Sequence, residues 1–93
     1  MFWLAERDGA IVGTAMAGYD GHRGWLYSVG VHPPMRRSGL ARELVVHAES
    51  ELAARGCPKI NLQVLEVNSS AQAFWQALGY VPDLVVSFGK RLA

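Results

Sequence analysis

Two arginines, a serine and a glycine stand where a strand pattern gives way to a helical pattern. Two prolines end the strand pattern, and residues 36–41 then read RRSGLA. The first amides of a helix have no partner within the helix, and the helix dipole makes that end attractive to an anion. Arg36 and Arg37 add positive charge, and Gly39 lets an anion approach the main chain without a Cβ in the way. The residues indicate a phosphate-binding loop, and they leave a solvated strand-to-helix connection open as the alternative.

The elements around this loop follow from the hydrophobic pattern of the chain. Strand-like stretches cover residues 2–7, 10–18, 25–31 and 60–65, with one more within residues 81–92. Asp8 and Gly9 tolerate the positive φ angles of a tight turn and predict a hairpin between the first two strands. A stripe of apolar residues predicts a helix over residues 39–55, which Gly56 ends. This helix makes the third and fourth strands parallel through a right-handed crossover.

A second, shorter helix completes the predicted fold. Ser69 followed by Gln72 is a capping-box pattern, and Gly79 ends the apolar stripe that follows it. Together the elements predict an α/β (α+β) fold, with a mixed and mostly antiparallel sheet, one parallel βαβ crossover and two helices. Residues 1–93 contain no repeat, linker or low-complexity tract, so we expect a single domain.

Charge and composition exclude several functional classes. The net charge is +1 with no block of like charges, which argues against a nucleic-acid surface built on phosphate neutralisation. No apolar run approaches the length of a membrane span, and the N-terminal residues do not form a signal peptide. Cys57 is the single cysteine, which suits a reducing, cytoplasmic setting. The spacing of the histidines fits no metal-ligand pattern, so no metal is expected at His22, His32 and His47.

Several stretches of the sequence resemble one enzyme family. RRSGLA, residues 36–41, resembles the (Gln/Arg)-x-x-Gly-x-(Gly/Ala) motif of the GNAT superfamily of acyl-CoA N-acyltransferases, and the preceding VGVHP resembles that family's fourth strand. NSSAQAFWQALGY, residues 68–80, is similar to the asparagine, helix and Leu-Gly-aromatic segment of the family. AGYDGHRG, ARGCPKI and GKRL are similar, more narrowly, to the YpeA-like acetyltransferases of bacteria. The resemblance covers nearly the whole chain and implies a GNAT fold without the usual N-terminal strand and two helices.

The resemblance implies that the chain binds acetyl-CoA as acyl donor and an amine as acceptor. Main-chain groups of Val29, Gly30 and Val31 would hold the pantetheine arm in a cleft where the third and fourth strands separate. The Val31 amide would also face the thioester oxygen. The Arg36 side chain would bind the pyrophosphate together with the main-chain amides of the residues that follow it, which are Arg37, Ser38, Gly39, Leu40, Ala41 and Arg42.

Two residues of the stretch 68–80 would contact the same arm. Asn68 would form a hydrogen bond with the pantetheine or its thioester end, and Trp75 would pack along it. Structural roles stay open for these positions as well. Val29 and Val31 can serve as strand core, and Asn68 can serve as a helix cap, a position that asparagine fills well. Each structural role is compatible with binding.

The implied reaction is direct attack of an amine on the thioester in a ternary complex. An amine with a pKa of about 10 must lose a proton before or during the attack. Many family members carry a glutamate on the strand before the motif, whereas residues 25–28 read WLYS, so we expect water held by Tyr27 or Glu66 to take the proton. The family often has a tyrosine as general acid where this chain has Trp75, whose indole is not such a donor. The catalytic residues that we predict are Val31 and Tyr27.

Three functional classes remain open from the sequence. An active N-acetyltransferase is the one that we favour, and a catalytically weak acyl-CoA-binding module or pseudoenzyme is the alternative that Trp75 favours. A structural interaction domain is the third. Hydrophobic residues make up 51% of the chain, and the absence of the usual first strand and helices would leave Phe2, Trp3 and Leu4 uncovered. We therefore expect a homodimer.

Overall fold

The sheet and the two helices expected from the sequence are present in the computed structural model, which describes residues 1–93. The strands are β1 (Phe2–Arg7), β2 (Ala10–Tyr19), β3 (Gly24–Val31) and β4 (Ile60–Asn61), and the helices are α1 (Leu40–Ala54) and α2 (Ser69–Ala77). The strand order is β1-β2-β3-β4, and only the last pair is parallel. Neither helix has the length and apolar character needed to cross a membrane. The predicted α/β fold class is confirmed.

The residues group into two compact units. The first unit, Met1–Gln63, contains the whole sheet, α1 and a short 3-10 helix, Pro33–Met35, between β3 and α1. The second unit, Val64–Ala93, contains α2. The loop of interest therefore belongs to the first unit, together with the strand that precedes it.

Two tight turns fix the antiparallel strands. Asp8 and Gly9 join β1 to β2 with φ angles of 51° and 79°, the left-handed conformations of the predicted hairpin turn. Between β2 and β3, the Asp20 carboxylate accepts hydrogen bonds from the amides of Arg23 and His22, each at 2.8 Å. These hydrogen bonds lower the pKa of Asp20, because they favour the ionised carboxylate. The second turn is thus held by a side chain.

Helix α1 covers one face of the sheet. Its apolar stripe is buried and consists of Leu40, Leu44, Val45, Ala48 and Leu52. Val12 and Ala15 of β2 pack against the N-terminal part of this stripe. At Gly13, a Cβ atom would lie 2.9 Å from the Cδ1 atom of Leu44. A side chain at position 13 would have to displace the Leu44 side chain, so glycine favours the close approach of α1 to β2.

Strand β4 is shorter than the sequence predicts. It comprises Ile60–Asn61 instead of residues 60–65, and its parallel pairing reaches only Gly24 and Trp25 of β3. The apolar composition of the segment suggested a longer strand, but a strand continues only where a neighbour supplies main-chain partners. The parallel crossover itself is confirmed.

The strand predicted within residues 81–92 is wrong, because no strand forms there. The apolar side chains of this stretch are exposed rather than packed on a sheet, and they are Leu84, Val85, Val86 and Phe88. Alternation of side-chain type favours a strand only when a neighbouring strand and a core face are available to it. The sequence pattern alone did not reveal that both are missing.

Candidate functional site

Strand β3 has an open edge beside the predicted phosphate loop. Its pairing with β4 covers only two positions, Gly24 with Ile60 and Trp25 with Asn61. Beyond them β3 runs on to Val31 with no strand paired on that side, although β2 continues on the other. The pairing of β3 with β4 therefore ends at Trp25, and the rest of this edge of β3 carries no strand.

The hydrogen-bond alternation of the sheet decides which main-chain groups face this open edge. The His32 amide donates to the Val12 carbonyl at 2.7 Å, so these two residues, at the end of the β2–β3 ladder, are a hydrogen-bonded pair. Bonded and non-bonded pairs alternate along an antiparallel ladder, which turns the main chain of Gly30 toward β2 as well. The amides and carbonyls of Val29 and Val31 then point to the opposite side. These two residues offer main-chain hydrogen-bonding groups to a ligand, whereas Gly30 offers a position without a side chain.

The side chains of Val29 and Val31 also pack in the hydrophobic core. Both pack against the buried cluster of Val12, Ala15, Leu40 and Leu44 on the α1 side of the sheet. Side chains of a strand stand roughly perpendicular to the direction of its main-chain hydrogen bonds. The strand-core role and the binding role therefore do not compete at these positions, and the packing holds the edge in place.

The loop after β3 contains two residues in the left-handed conformation. Arg37 has a φ of 64° and Gly39 has a φ of 86°. Gly39 is the N-cap of α1, and a Cβ atom built there would meet no other atom within 4 Å. Left-handed residues in a turn bring successive amides toward one concave surface, the arrangement that binds anions in many proteins. The space beside Gly39 is therefore open to a ligand.

The amides of residues 37–42 donate to no acceptor within the protein. The first hydrogen bond of α1 runs from the Glu43 amide to the Gly39 carbonyl at 3.0 Å. No side chain caps the helix, since Gly39 has none and the Ser38 hydroxyl donates to the Met35 carbonyl instead. An anion at this end of α1 would find several main-chain donors in one place.

The charges around the loop favour an anion. Arg36, Arg37 and Arg42 are exposed, and neither the Arg7–Glu43 nor the His47–Glu51 pair involves them. Glu43 is the acidic residue in the first turn of α1, and it pairs with Arg7 at 3.7 Å. These guanidinium groups are therefore not held by either of those carboxylates, and guanidinium groups form strong charge-assisted hydrogen bonds with phosphate.

Tyr27 lies apart from the Val31 amide and from the loop after β3. Met16 pairs with Ser28 and Ala17 with Leu26, so Tyr27 is the extra residue of a β-bulge in β3. Its hydroxyl oxygen lies 3.1 Å from the position that a Cβ atom of Gly18 would occupy, and the side chain is 63% exposed. About 13 Å of extended strand separates Tyr27 from Val31. The structure does not bring the phenol of Tyr27 to the Val31 amide.

Asn68 caps α2 in the second unit. Its Oδ1 atom accepts a hydrogen bond from the Ala71 amide at 3.1 Å and one from the Ser70 hydroxyl at 3.2 Å. The helix cap is therefore Asn68, and the predicted capping box on Ser69 is wrong by one residue. The side-chain oxygen of Asn68, one residue earlier in the chain, reaches the first turn of α2 and caps it instead of the Ser69 hydroxyl.

Trp75 belongs to an aromatic cluster at the C-terminal half of α2. Its ring lies edge-on to Phe74, with centroids 5.0 Å apart, and edge-on to Tyr80, at 5.2 Å. Such edge-to-face pairs are favourable because of the ring quadrupoles. Trp75 is half-buried, so part of its indole remains available for contact with another molecule.

The hydrogen bonds of the Gln72 side chain are not predicted by the sequence patterns. Its Nε2 atom donates to the Leu65 carbonyl at 3.2 Å and to the Glu66 carbonyl at 2.7 Å. The Ser-x-x-Gln pattern correctly places an amide side chain in the first turn of the helix. It does not indicate that this side chain reaches backward to the segment before the helix.

His47 and Cys57 have local partners. His47 lies 3.8 Å from the Glu51 carboxylate and edge-on to Trp3, with ring centroids 5.9 Å apart. The Cys57 thiol donates to the Lys59 carbonyl at 3.2 Å. No group of three or more histidine, cysteine, aspartate or glutamate side chains lies close enough to hold a metal ion.

Comparisons with known proteins identify relatives of the chain. Residues 1–80 match the model of the acetyltransferase (GNAT) family. Acetyltransferase YE1169 of Yersinia enterocolitica is 47% identical over 92 residues, which cover 99% of this chain and 65% of that protein. The chain thus spans a little under two thirds of the length of this relative.

Solved structures share the fold. The aminoglycoside N-acetyltransferase AAC(6')-Iy in complex with CoA superimposes with a TM-score of 0.81 at 25% identity, covering 97% of this chain and 75% of that one. The ribosomal-protein-S18-alanine N-acetyltransferase from Escherichia coli gives a TM-score of 0.78 at 28% identity, covering 85% and 51% of the two chains. An aminoglycoside 6'-N-acetyltransferase from Acinetobacter haemolyticus gives 0.76 at 26% identity, covering 97% and 69%.

The cap of α2 leads to a prediction about stability. Replacing Asn68 by alanine leaves the Ala71 amide without an acceptor, and the loss of an N-cap costs about 1 kcal/mol. We expect Asn68→Ala to lower the free energy of unfolding by that amount in urea titrations followed by circular dichroism.

Asn68→Ser is the matched control, because serine caps helices about as well as asparagine. Its free energy of unfolding should stay within a few tenths of that of the parent protein. Equal stability of the alanine variant and the parent would show that the cap contributes nothing.

Proposed function

The chain belongs to the acetyltransferase (GNAT) family, and on that premise we propose that it transfers an acetyl group from acetyl-CoA to a primary amine by direct attack in a ternary complex. The observation that carries this proposal is the open edge of β3, where the main-chain groups of Val29 and Val31 are unpaired just before an uncapped helix N-terminus. CoA has the complementary chemistry, with an extended arm of two amides and a diphosphate at its end.

The pantetheine arm lies along β3 like an added strand. Its amide groups exchange hydrogen bonds with the outward-facing main chain of Val29 and Val31. Gly30 presents no side chain beside the arm. The thioester lies at the end of the arm opposite the diphosphate, so the Val29 amide, the outward-facing donor farther from α1, takes the thioester oxygen, and the predicted assignment of this role to the Val31 amide does not fit this order. A donor at that position stabilises the negative charge that the oxygen acquires during attack.

The diphosphate binds at the N-terminus of α1. The amides of residues 37–42 donate to its oxygens, and the Arg36 side chain adds a charge-assisted hydrogen bond. Gly39 leaves the space that a phosphate group needs next to the main chain. Binding thus uses groups that have no other partner in the first unit.

The chemical step forms an amide and releases a thiolate. The amine nitrogen attacks the thioester carbonyl carbon, the C–S bond breaks, and its electron pair leaves with the sulfur of CoA. The amine gives up one proton to water, for which Tyr27 and Glu66 are the candidate holders. A thiol with a pKa of about 8.5 leaves tolerably well as a thiolate, so the reaction can proceed without a strong general acid.

The acceptor is an amine whose class the relatives leave open. Two of the structural relatives are aminoglycoside N-acetyltransferases at 25% and 26% identity, and one acetylates an alanine of ribosomal protein S18 at 28%. These identities are too similar to select between a sugar amine and a protein N-terminus. We therefore limit the proposed acceptor to primary amines.

A catalytically weak acyl-CoA-binding module is the second candidate. Trp75 favours it, because an indole N–H is a hydrogen-bond donor and not a general acid for a departing thiolate. Such a module would bind acetyl-CoA through the same edge and loop and would turn over slowly or not at all.

Thiol release separates the two functions. The purified protein is given acetyl-CoA and a panel of amines that includes an aminoglycoside, a polyamine, a free amino acid and a peptide with an N-terminal alanine. An acetyltransferase releases CoA thiol in the presence of at least one of them. Binding of acetyl-CoA without release supports the binding module, and absence of binding contradicts both functions.

Introducing a negative charge into the loop tests diphosphate binding. Aspartate at position 39 tolerates the left-handed conformation but places a carboxylate next to the phosphate. We expect Gly39→Asp to raise the Kd for CoA by more than about tenfold in calorimetric titration, equivalent to about 1.4 kcal/mol.

Gly39→Asn is the control for that substitution, since asparagine has almost the same shape, tolerates the same φ angle and carries no charge. It should bind CoA several times more tightly than the aspartate variant. Equal affinities of the two variants would show that phosphate charge is not recognised at this position.

Trp75 provides a test of the leaving-group chemistry. If the missing acid limits the rate, Trp75→Tyr supplies a hydroxyl on an aromatic ring and should raise thiol release at neutral pH, with about 10²-fold as the effect of a well-placed acid. Trp75→Phe keeps the ring without the hydroxyl and should give no gain. A tyrosine variant that folds, binds acetyl-CoA and is no faster than the phenylalanine variant would remove this role.

An exposed apolar strip supports a homodimer as part of the proposal. Phe2 and Leu4 of β1 are 60% and 48% exposed, and Met16, the partner of Phe2 on β2, is 40% exposed. Such strips on small proteins are typical of interfaces, and twofold homodimers are the commonest assembly. Light scattering behind a sizing column should give twice the 10.2 kDa of one chain. A folded protein with the mass of one chain at micromolar concentration would contradict the dimer.

A further inference from the structure

An ion pair joins the last residue of β1 to the first turn of α1. The Arg7 guanidinium lies 3.7 Å from the Glu43 carboxylate, and the two side chains are 56% and 66% exposed. β1 ends at Arg7 and β3 ends at Val31, and their pairing with β2 places both strand ends at the same end of the sheet. The loop after β3 leaves the sheet there, so the ion pair stands at the same end of the first unit as the loop.

The position of Glu43 is unfavourable for an anion at the start of α1. Side chains of a helix lean over the turn that precedes them, which for Glu43 is the turn at Gly39 and Leu40. Gly39 lies about 6 Å away along the helix axis, which is less than the screening length at physiological ionic strength. An unrestrained carboxylate there would repel a bound diphosphate and compete with it for the amides of residues 37–42.

Arg7 counters both effects of this carboxylate. It compensates the negative charge, and it draws the carboxylate toward β1, where Glu43 lines a groove together with Trp3 and His47. His47, one helical turn further on, lies next to the Glu51 carboxylate. Exposed ion pairs contribute little to the stability of a fold. The main consequence of the Arg7–Glu43 pair is therefore electrostatic, beside the loop.

We propose that Arg7 is a positioning residue for diphosphate binding, which restrains and neutralises the Glu43 carboxylate so that the N-terminus of α1 stays available to the anion. This inference rests on the proposed function, because the diphosphate is that of CoA. Arg7 acts through Glu43 and makes no contact with CoA.

The two partners of the ion pair can be tested against each other. Arg7→Gln and Glu43→Gln break the same ion pair, but only Arg7→Gln leaves a free carboxylate beside the loop. If the pair merely stabilises the contact between β1 and α1, both substitutions weaken the binding of CoA. If Arg7 acts through Glu43, Arg7→Gln weakens binding and Glu43→Gln does not. Both side chains are exposed, so the substitutions are compatible with folding.

The Kd for CoA is measured by calorimetry for the parent, the two single variants and the double variant. The titrations are done at about 20 mM and about 500 mM ionic strength, because salt screens interactions between exposed charges. Arg23→Gln is the matched control, since it removes the same charge next to Gly24, at the end of β3 that lies away from the loop. Circular dichroism verifies that each variant is folded.

At low ionic strength we expect Arg7→Gln to raise the Kd about threefold, the size of the effect of exposed charges several ångströms apart. Glu43→Gln should bind CoA at least as tightly as the parent, and the double variant should bind like Glu43→Gln. Arg23→Gln should bind like the parent. The loss of affinity in Arg7→Gln should shrink at high ionic strength.

Several results would overturn the positioning role while leaving the proposed function intact. They are parent-like binding by Arg7→Gln, weakened binding by Glu43→Gln, and a double variant as weak as Arg7→Gln. A loss that persists at high ionic strength, or an equal loss in Arg23→Gln, would overturn it as well. A parent protein that does not bind CoA contradicts the proposed function itself, and the role of Arg7 with it.

Discussion

The site depends on one feature of main-chain geometry, which is that β3 extends beyond the end of its parallel partner. An unpaired strand edge is ordinarily a hazard, because its N–H and C=O groups can pair with another chain. Here the unpaired stretch is short and ends where Pro33–Met35 turns the chain toward α1. Along this path an extended row of main-chain groups is followed by an anion-binding helix end. That order matches an extended amide arm followed by a diphosphate.

The packing beneath the edge keeps this geometry fixed. The side chains of Val29 and Val31 are held in the same cluster as Leu40 and Leu44, at the start of α1. Gly13 lets that part of the helix come close to β2. The strand edge and the helix N-terminus are thus joined through a shared core as well as through the loop. A rigid arrangement of donors binds with a smaller loss of entropy than a flexible one.

Much of the fold could be predicted from the sequence, because its patterns are local. The Asp-Gly hairpin, the stripe of α1 and the parallel crossover each follow from neighbouring residues, and the structure confirms them. The failures concern features that depend on distant partners. The length of β4 and the absence of a strand in residues 81–92 are set by where other strands end. The register of the β2–β3 ladder decides that the main-chain groups of Val29 and Val31, and not those of Gly30, face the open edge. The Gln72 side chain donates back to the segment before α2, where the chain forms a turn that no local pattern predicts.

Hydrogen exchange of individual amides tests the strand-edge site most directly. In the free protein the amides of Val29 and Val31 face solvent on the open edge, whereas the Gly30 amide already donates within the ladder. Addition of CoA should slow the exchange of Val29, Val31 and residues 37–42, and it should leave the exchange of Gly30 little changed. Binding of CoA that slows none of these outward-facing amides, or that protects Gly30 alone, would contradict a ligand lying along β3.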